Sequence, residues 1–300
     1  MRKSLITSVM LGALAAPSLV LAADAAPEWT LTSNVGVFSQ YIFRGMTQTN
    51  RNTALQGGAD LGHSSGFYAG IWASNISWLR DNNASNPFYS EGGSAEIDLY
   101  GGFKKEISNT GITADVGILQ YYYPGTRNKT GYSSFANTTE LYGALNYGWV
   151  QGKISGVVSR DAWEWGVQNR TGEDARGTYY AEFNATVPVG DLAGKNAPVL
   201  SGISLIAHIG RQEFQGDKAT TAYNGYCGIN RTNCNNNGAS YTDYKLGIQK
   251  AFGEGLLNGT TIGAFATYAD EDNKGYWNTT AGNFRNLGEA TGTAFIQRTF

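Results

Sequence analysis

Apolar and polar residues alternate along most of this chain, and no stretch keeps a helical period. In residues 94–105, "SAEIDLYGGFKK", Ile97 and Leu99 share one face while Glu96 and Asp98 share the other. Residues 138–147 and 177–188 show the same division into an apolar and a polar face. A period of two is typical of β-strands that bury one face and leave the other polar.

The alternating segments predict about twelve strands, most of them near the ~9–11 residues that a tilted strand needs to cross a bilayer. An even number of antiparallel strands is typical of bacterial outer-membrane barrels. The pattern therefore predicts an all-β protein, a transmembrane antiparallel β-barrel. The predicted strands are 29–44, 53–63, 67–78, 94–105, 111–122, 138–147, 149–159, 177–188, 200–212, 240–252, 258–270 and 290–300.

The connectors between these strands alternate between long and short, with residues 188–199 intermediate. Transmembrane barrels have long extracellular loops and short periplasmic turns, so this alternation supports the barrel and places both chain ends on the periplasmic side. A soluble β-sandwich would leave the alternation of loop lengths unexplained.

The first residues have the pattern of a secretory signal peptide. Arg2 and Lys3 precede an apolar stretch, and small residues follow near position 22, with a second candidate cleavage point after residue 25. A membrane-anchoring helix would be longer and would lack the small-residue cleavage pattern. We therefore expect residues 1–22 to be removed and residues 23–300 to form a single domain in the bacterial outer membrane.

The last predicted strand ends on Phe300, with Ala294, Ile296 and Arg298 on the same outward face. A terminal Phe after alternating apolar residues resembles the C-terminal signature that the barrel-assembly machinery recognises, and this implies that machinery as a partner. An outward Arg near the membrane edge can extend its charged end to water.

Aromatic residues cluster near the predicted strand ends, as in the belts that mark the two membrane interfaces. The periplasmic belt would contain Trp29, Trp149 and Phe300, and the outer belt Tyr41, Phe43, Trp78, Tyr122 and Tyr123.

Composition narrows the class further. The formal net charge is −2, and it becomes −4 without the two basic residues of the signal peptide, so nothing indicates a nucleic-acid partner. The mean hydropathy of −0.30 excludes a bundle of membrane helices. A barrel remains compatible with it, because alternation averages out as hydrophilic.

Two cysteines, Cys227 and Cys234, lie close together in "YCGINRTNCNNNG". Two cysteines in a short loop of an exported protein predict a disulfide. A metal site would need further ligands, and neither histidine is near in sequence. We therefore expect no metal and no cofactor.

Residues 33–76 and 95–103 resemble the start of the TorF family of porin-like proteins, also known as the Gcw-type proteins of unknown function in proteobacteria. The motifs are "YIFRG" at 41–45, "LQGG" at 55–58, "GFYAG" at 66–70 and "EIDLY" at 96–100. The resemblance covers about the first third of the chain and implies an outer-membrane channel.

If the apolar faces meet lipid, the polar faces line the lumen. Three basic and six acidic side chains would then give a formal lumen charge of −3, and rings of carboxylates favour cations in a pore. The alternative interpretation is that these charges pair across neighbouring strands and rigidify a closed interior. The predicted pore-lining residues are Gln40, Arg44, Asn75, Glu96, Asp98, Asp115, Glu140, Lys153, Glu182, His208, Asp243 and Lys245.

Twelve strands fall between barrels filled by side chains and barrels that hold a water channel, so a narrow pore, a plugged pore and a ligand-binding mouth all remain open. The leading hypothesis is a passive channel for small polar or ionic solutes, not an enzyme. A plugged barrel that acts as an adhesin or receptor through its Asn- and Gly-rich loops is the alternative. A hydrolase is a weaker one, because neither His63 nor His208 lies in a nucleophile motif.

Overall fold

The computed structural model describes residues 27–81, 89–128, 136–163, 175–194, 197–215, 239–272, 277 and 286–300. The predicted signal peptide and both cysteines, Cys227 and Cys234, lie outside the described residues.

The predicted twelve-stranded antiparallel barrel is confirmed, and it is closed by pairing of the first strand with the last. Among the described residues, two small two-stranded sheets supplement it, one of Ile42–Phe43 with Met46–Thr47 and one of Tyr89–Gly92 with Gly125–Arg127. The strands are β1 (Trp29–Phe38), β2 (Ile42–Phe43), β3 (Met46–Thr47), β4 (Ala54–His63), β5 (Phe67–Asn75), β6 (Tyr89–Gly92), β7 (Ala95–Glu106), β8 (Ile112–Tyr122), β9 (Gly125–Arg127), β10 (Thr138–Tyr147), β11 (Val150–Val157), β12 (Tyr179–Val187), β13 (Ile203–Glu213), β14 (Tyr241–Phe252), β15 (Thr260–Glu271) and β16 (Thr291–Thr299).

Connector length separates the two ends of the barrel. At the long-loop end the connectors between barrel strands have 15 to 27 residues, and at the short-turn end 2 to 7, apart from residues 188–202. That exception contains the helix α2 (Val189–Ala193) and a 3-10 turn at Pro198–Leu200. A second 3-10 turn lies at Gly255–Leu257, and α1 (Trp78–Asp81) lies at the long-loop end. No helix in these ranges is both long and apolar enough to span a membrane.

The two faces of each barrel strand differ as the alternation predicts. Outward positions carry exposed apolar side chains, such as Leu31 at 72% exposure and Leu246 at 68%, whereas inward positions are largely buried. Exposed apolar residues around a closed barrel form the lipid-facing surface of a transmembrane barrel. On β16, Ile296 and Arg298 are exposed and Phe295 and Gln297 are buried, which agrees with the predicted register.

The first strand is shorter than predicted. It ends at Phe38, and residues 39–53, here called the inner loop, turn back into the barrel and form the hairpin β2–β3. Arg44 and Gly45 form the tip with φ values of 46° and 78°. A side chain at Gly45 would overlap Asp243 on β14, so glycine permits both the left-handed turn and the close approach to the wall.

The predicted aromatic belts are only partly on the lipid-facing surface. Trp29, Trp149 and Phe300 are exposed at the short-turn end, where an interface residue is expected. Tyr41 and Tyr123 are instead buried inside the barrel, and Trp78 packs against Tyr123 at 5.6 Å between ring centroids. Placing these rings on the outer belt was therefore wrong, because the connectors that carry them fold inward.

Candidate functional site

The barrel interior collects most of the residues predicted to line the lumen. Gln40 and Arg44 belong to the inner loop, and Gln40 and the side chain of Arg44 are buried within the barrel. Asn75 was placed wrongly: it is exposed on the outward face of β5, where its amide bonds the backbone of Thr53 and Leu55. The residues on inward strand positions are Glu96, Asp98, Asp115, Glu140, Lys153, Glu182, His208, Asp243 and Lys245.

Aromatic side chains on the inner wall lie over glycines of the neighbouring strand. Tyr100 is paired directly with Gly70, and its ring occupies the space that a side chain at Gly70 would need. The same cross-strand arrangement recurs at three further pairs. A ring that lies against the wall projects less into the lumen than one that points at the barrel axis. The further pairs are Tyr68 with Gly102, Tyr142 with Gly117 and Phe295 with Gly263.

The inner loop contacts the wall around most of its circumference. The ring of Tyr41 packs on Trp72 of β5 at 5.3 Å, and that of Phe43 on Tyr121 of β8 at 5.6 Å. On the far side the backbone N–H of Thr47 donates to Leu287 at 3.0 Å. The loop thus crosses the interior at the long-loop end of the barrel.

Arg44, at the tip of the inner loop, joins strands on one side of the barrel. Its Nη2 donates to both carboxylate oxygens of Glu140 on β10, at 2.8 and 3.0 Å. Its Nη1 donates to Oε1 of Gln212 on β13 at 2.8 Å. The ion pair is almost entirely buried, with side-chain exposures of 6% for Arg44 and 1% for Glu140.

Three aromatic rings surround the same guanidinium. Its central carbon lies 4.3 Å from the ring centre of Tyr180, 4.8 Å from that of Phe43 and 5.2 Å from that of Trp163. Cations within about 6 Å of an aromatic face are attracted to it. Burial disfavours the charged guanidinium, but Glu140 more than offsets this and keeps the pKa of Arg44 above its ordinary value.

Glu96 on β7 anchors the other end of the inner loop. Its two carboxylate oxygens accept hydrogen bonds from Tyr41 at 2.6 Å and from Tyr123 at 2.7 Å. Burial, together with the nearby Glu96 and Asp98 carboxylates, raises the pKa of Tyr41 well above its ordinary value. The Tyr41 phenol therefore keeps its proton and remains a donor.

Asp98 is the inward residue whose environment is least favourable for a carboxylate. The residue is fully buried, and neither carboxylate oxygen has a hydrogen-bond partner among the described residues. Its strand neighbours on the same face are Glu96 and Tyr100. In the described part of the chain, no three His, Asp, Glu or Cys side chains converge so as to hold a metal ion.

A second polar network lies along β12–β14 and centres on His208. Its Nε2 lies 2.9 Å from both Asp243 and the Tyr180 hydroxyl, which itself donates to Asp243 at 2.8 Å. Its Nδ1 lies 2.6 Å from Oδ1 of Asn184, whose Nδ2 donates to Glu182 at 2.9 Å. The bonds of His208 tie neighbouring strands together, and its hydrogen-bond partners within the described residues include no serine or cysteine.

The wall formed by β4–β10 carries tyrosines paired with carboxylates. Tyr100 donates to Asp60 at 2.5 Å and Tyr68 to Asp115 at 2.7 Å, and the Tyr68 hydroxyl also contacts that of Tyr142. Lys153 on the neighbouring strand β11 stands 4.9 Å from the ring centre of Tyr142.

Several interior residues were missed at the sequence level, among them Asp60, Lys104, Gln212 and Glu271. Asp60 lies an even number of positions from Gln56 on β4, and Lys104 an even number from Glu96 on β7. Alternation along each strand therefore places both residues on the inward face. Gln212 becomes significant only through its bond to Arg44, which no local pattern indicates.

A family model described as "Bacterial protein of unknown function (Gcw_chp)" matches residues 22–300. The search of curated proteins returned no match.

Among solved structures, the chain is similar to Pseudomonas aeruginosa OccD3 (OpdP), with 9% identity and a TM-score of 0.42 over 93% of this chain and 66% of that one. The chain thus spans about two thirds of the length of OccD3. It is also similar to the KdgM porin, with 6% identity and a TM-score of 0.44, and to the NanC porin, with 10% and 0.42. Each of these two comparisons covers 90% of this chain and 99% of the other. The family match spans nearly the whole chain, including the motifs at 41–45 and 96–100, and the chain belongs to the Gcw_chp family of bacterial proteins.

Proposed function

We propose that this protein is an outer-membrane channel for the passive diffusion of small polar solutes, closed at its long-loop end by the inner loop. In this proposal the long loops face the outside of the cell and the short turns the periplasm. The signal peptide directs export, and the barrel-assembly machinery recognises β16 with Phe300. Transport needs no cofactor, metal or covalent step.

The observation that carries the proposal is the polar inner wall of a barrel whose outer face is apolar. A barrel that served only as a scaffold could fill its interior with apolar side chains, as small barrels do. Here charged and polar residues line the interior on nearly every strand, and aromatic rings are turned against the wall over glycines. A polar solute would find partners along such a wall.

The charges of the wall favour a weak preference for cations. Between the two rims, carboxylates outnumber the basic groups, even with Arg44 of the inner loop included, and rings of carboxylates favour cations in a pore. The inward carboxylates among the described residues are Asp60, Glu96, Asp98, Asp115, Glu140, Glu182, Asp243 and Glu271, and the basic groups are Arg44, Lys104, Lys153 and Lys245.

The second candidate function is that of a receptor or adhesin, and it is favoured by the position of the inner loop. The loop crosses the interior and contacts several strands of the wall. If it closes the barrel permanently, the protein could serve only to present its outer loops. The two functions differ in whether the refolded protein conducts ions.

Single-channel recording of the refolded mature chain in a planar lipid bilayer tests the proposal. We expect discrete current steps and, under a salt gradient, a reversal potential of the sign that indicates cation preference. A folded barrel that stays silent at all voltages would reject the channel in favour of the receptor. Stable current steps with a preference for anions would reject the proposed cation preference and leave the channel function standing.

A further inference from the structure

The part of the wall that holds Arg44 has the composition of a binding site for a planar cation. Glu140 supplies a carboxylate, Gln212 an amide oxygen and Tyr180 an aromatic face, and they come from β10, β13 and β12. Three oxygens of Glu140 and Gln212 accept hydrogen bonds from two guanidinium nitrogens of Arg44. The ring centre of Tyr180 lies 4.3 Å from the central carbon of the guanidinium. A planar fork of donors fits this arrangement better than a compact ammonium.

These wall residues are held in place by contacts that do not involve the inner loop. Glu140 also accepts a hydrogen bond from Tyr121 at 3.1 Å. The Nε2 of Gln212 donates to the carbonyl of Tyr179 at 3.0 Å, which turns its Oε1 toward the guanidinium. The Tyr180 hydroxyl is fixed by Asp243. The wall therefore keeps the shape of the site when Arg44 leaves it.

Arg44 itself is poorly suited to be only a structural support. It occupies the site with a backbone φ of 46°, a region that non-glycine residues adopt rarely and at some cost. A buried ion pair often adds little stability over apolar residues of the same size, and its best-attested use is in specificity and switching. Asp98, on the nearby strand β7, is a further acidic side chain buried in this half of the barrel, and it has no hydrogen-bond partner among the described residues.

Resting on the proposed channel function, we infer that the wall around Arg44 is a binding site for solutes that carry a guanidinium group. The site is formed by Glu140, Gln212, Tyr180 and Tyr121, together with Trp163 of the adjoining loop. In the closed barrel, Arg44 occupies this guanidinium site as an internal competitor. A solute that displaces Arg44 releases the tip of the inner loop and opens the long-loop end. Guanidinium-bearing small molecules are then the favoured solutes, ahead of neutral molecules of the same shape.

Competition by Arg44 determines the concentration at which an external guanidinium compound should act. A tethered group competes at an effective concentration on the order of millimolar. We therefore expect an external guanidinium compound to act on the wild-type protein only at millimolar concentrations, and on Arg44→Ala at concentrations about tenfold or more lower.

The test uses three probes of matched size: butylguanidinium, butylammonium and the neutral butylurea. Binding to Arg44→Ala in detergent micelles is followed by the fluorescence of Trp163, and its background is measured in Arg44→Ala/Trp163→Phe. We expect saturable binding of butylguanidinium, weaker binding of butylammonium and none of butylurea. Adding Glu140→Gln to Arg44→Ala should weaken butylguanidinium binding at least about tenfold, because a charge-assisted hydrogen-bond pair is lost.

Recording from the wild-type channel keeps the test independent of how well the variant folds. Butylguanidinium, and not butylurea, should raise the fraction of time that the channel spends open. An equal response to butylguanidinium and butylurea, or no response in a conducting channel, would overturn the guanidinium site and leave the channel proposal intact. A barrel that never conducts but in which Arg44→Ala binds butylguanidinium selectively would uphold the site and reject the channel.

Discussion

Arg44 and Glu140 form a buried ion pair in which one guanidinium nitrogen contacts both carboxylate oxygens, at 2.8 and 3.0 Å. The two residues are 96 positions apart in the sequence, and their contact joins the tip of the inner loop to the barrel wall. In the proposed channel, this one contact links the stability of the barrel to the closure of its long-loop end and to its preference among solutes.

Glu140→Gln should destabilise the folded barrel, because it leaves the Arg44 guanidinium buried without a counter-charge. We expect a loss of about 3–5 kcal/mol in the free energy of unfolding, measured by urea titration in lipid vesicles. Glu289→Gln is the matched control, since its partner Arg51 belongs to the same loop but the pair is exposed. That substitution should cost no more than about 1 kcal/mol. Equal losses in the two variants would contradict the special role of Glu140.

Arg44→Ala should open the channel more often, because the inner loop loses its contacts with β10, β12 and β13. We expect the open fraction in planar bilayers to rise several-fold. Arg51→Ala, in the same loop and with an exposed partner, should leave the open fraction near the wild-type value. An unchanged open fraction in Arg44→Ala would mean that the inner loop is held closed by its other contacts.

Gly70→Ala should push the ring of Tyr100 away from the wall, since the ring occupies the space of the new methyl group. Overpacking of this kind costs about 1–3 kcal/mol, and the displaced ring should also lower single-channel conductance. Gly143→Ala is the control, because nothing lies within 4 Å of the position of its new side chain. A stability loss in Gly143→Ala as large as in Gly70→Ala would show that strand glycines matter here for their backbone and not for the rings.

Asp98→Asn should cost the barrel little stability, because neither carboxylate oxygen of Asp98 has a hydrogen-bond partner among the described residues. We expect the free energy of unfolding at neutral pH to change by no more than about 1 kcal/mol. Asp60→Asn is the comparison variant, and we expect it to lower the free energy of unfolding. Asp60 accepts a hydrogen bond from Tyr100 at 2.5 Å, and the substitution weakens that bond. A larger loss in Asp98→Asn would indicate that the carboxylate has a partner, such as a bound cation, in the folded protein.

Neutralising inward carboxylates should reduce the cation preference of the channel. In Asp60→Asn/Asp115→Asn, we expect the reversal potential under a potassium chloride gradient to move toward zero, because both groups lie on the inner wall. Asp191→Asn, on the exposed helix α2 at the short-turn end, should leave the reversal potential unchanged. The same shift in both variants would assign the selectivity to the rim instead of the lumen.

The sequence by itself determined the architecture, because alternation along a strand is a local property. Ile97 and Leu99 face outward and Glu96 and Asp98 inward for the same reason that any strand alternates, and the lengths of the connectors separate the two ends of the barrel. Glu140 and His208 could be placed on the inner face in this way before any contact was known.

Only the tertiary structure decided what fills the interior. Residues 39–44 continue the alternation of β1, so the pattern predicted a strand where the chain turns inward at Ser39. The turn is stabilised by Glu96, Glu140 and Gln212, which lie on strands far along the sequence. Asn75 is a different case, since it shares the outward positions of Phe67 and Ile71 on β5 and strict alternation would already have placed it outside. A periodic pattern reports which face a residue occupies, whereas closure of the barrel decides which residues meet across it.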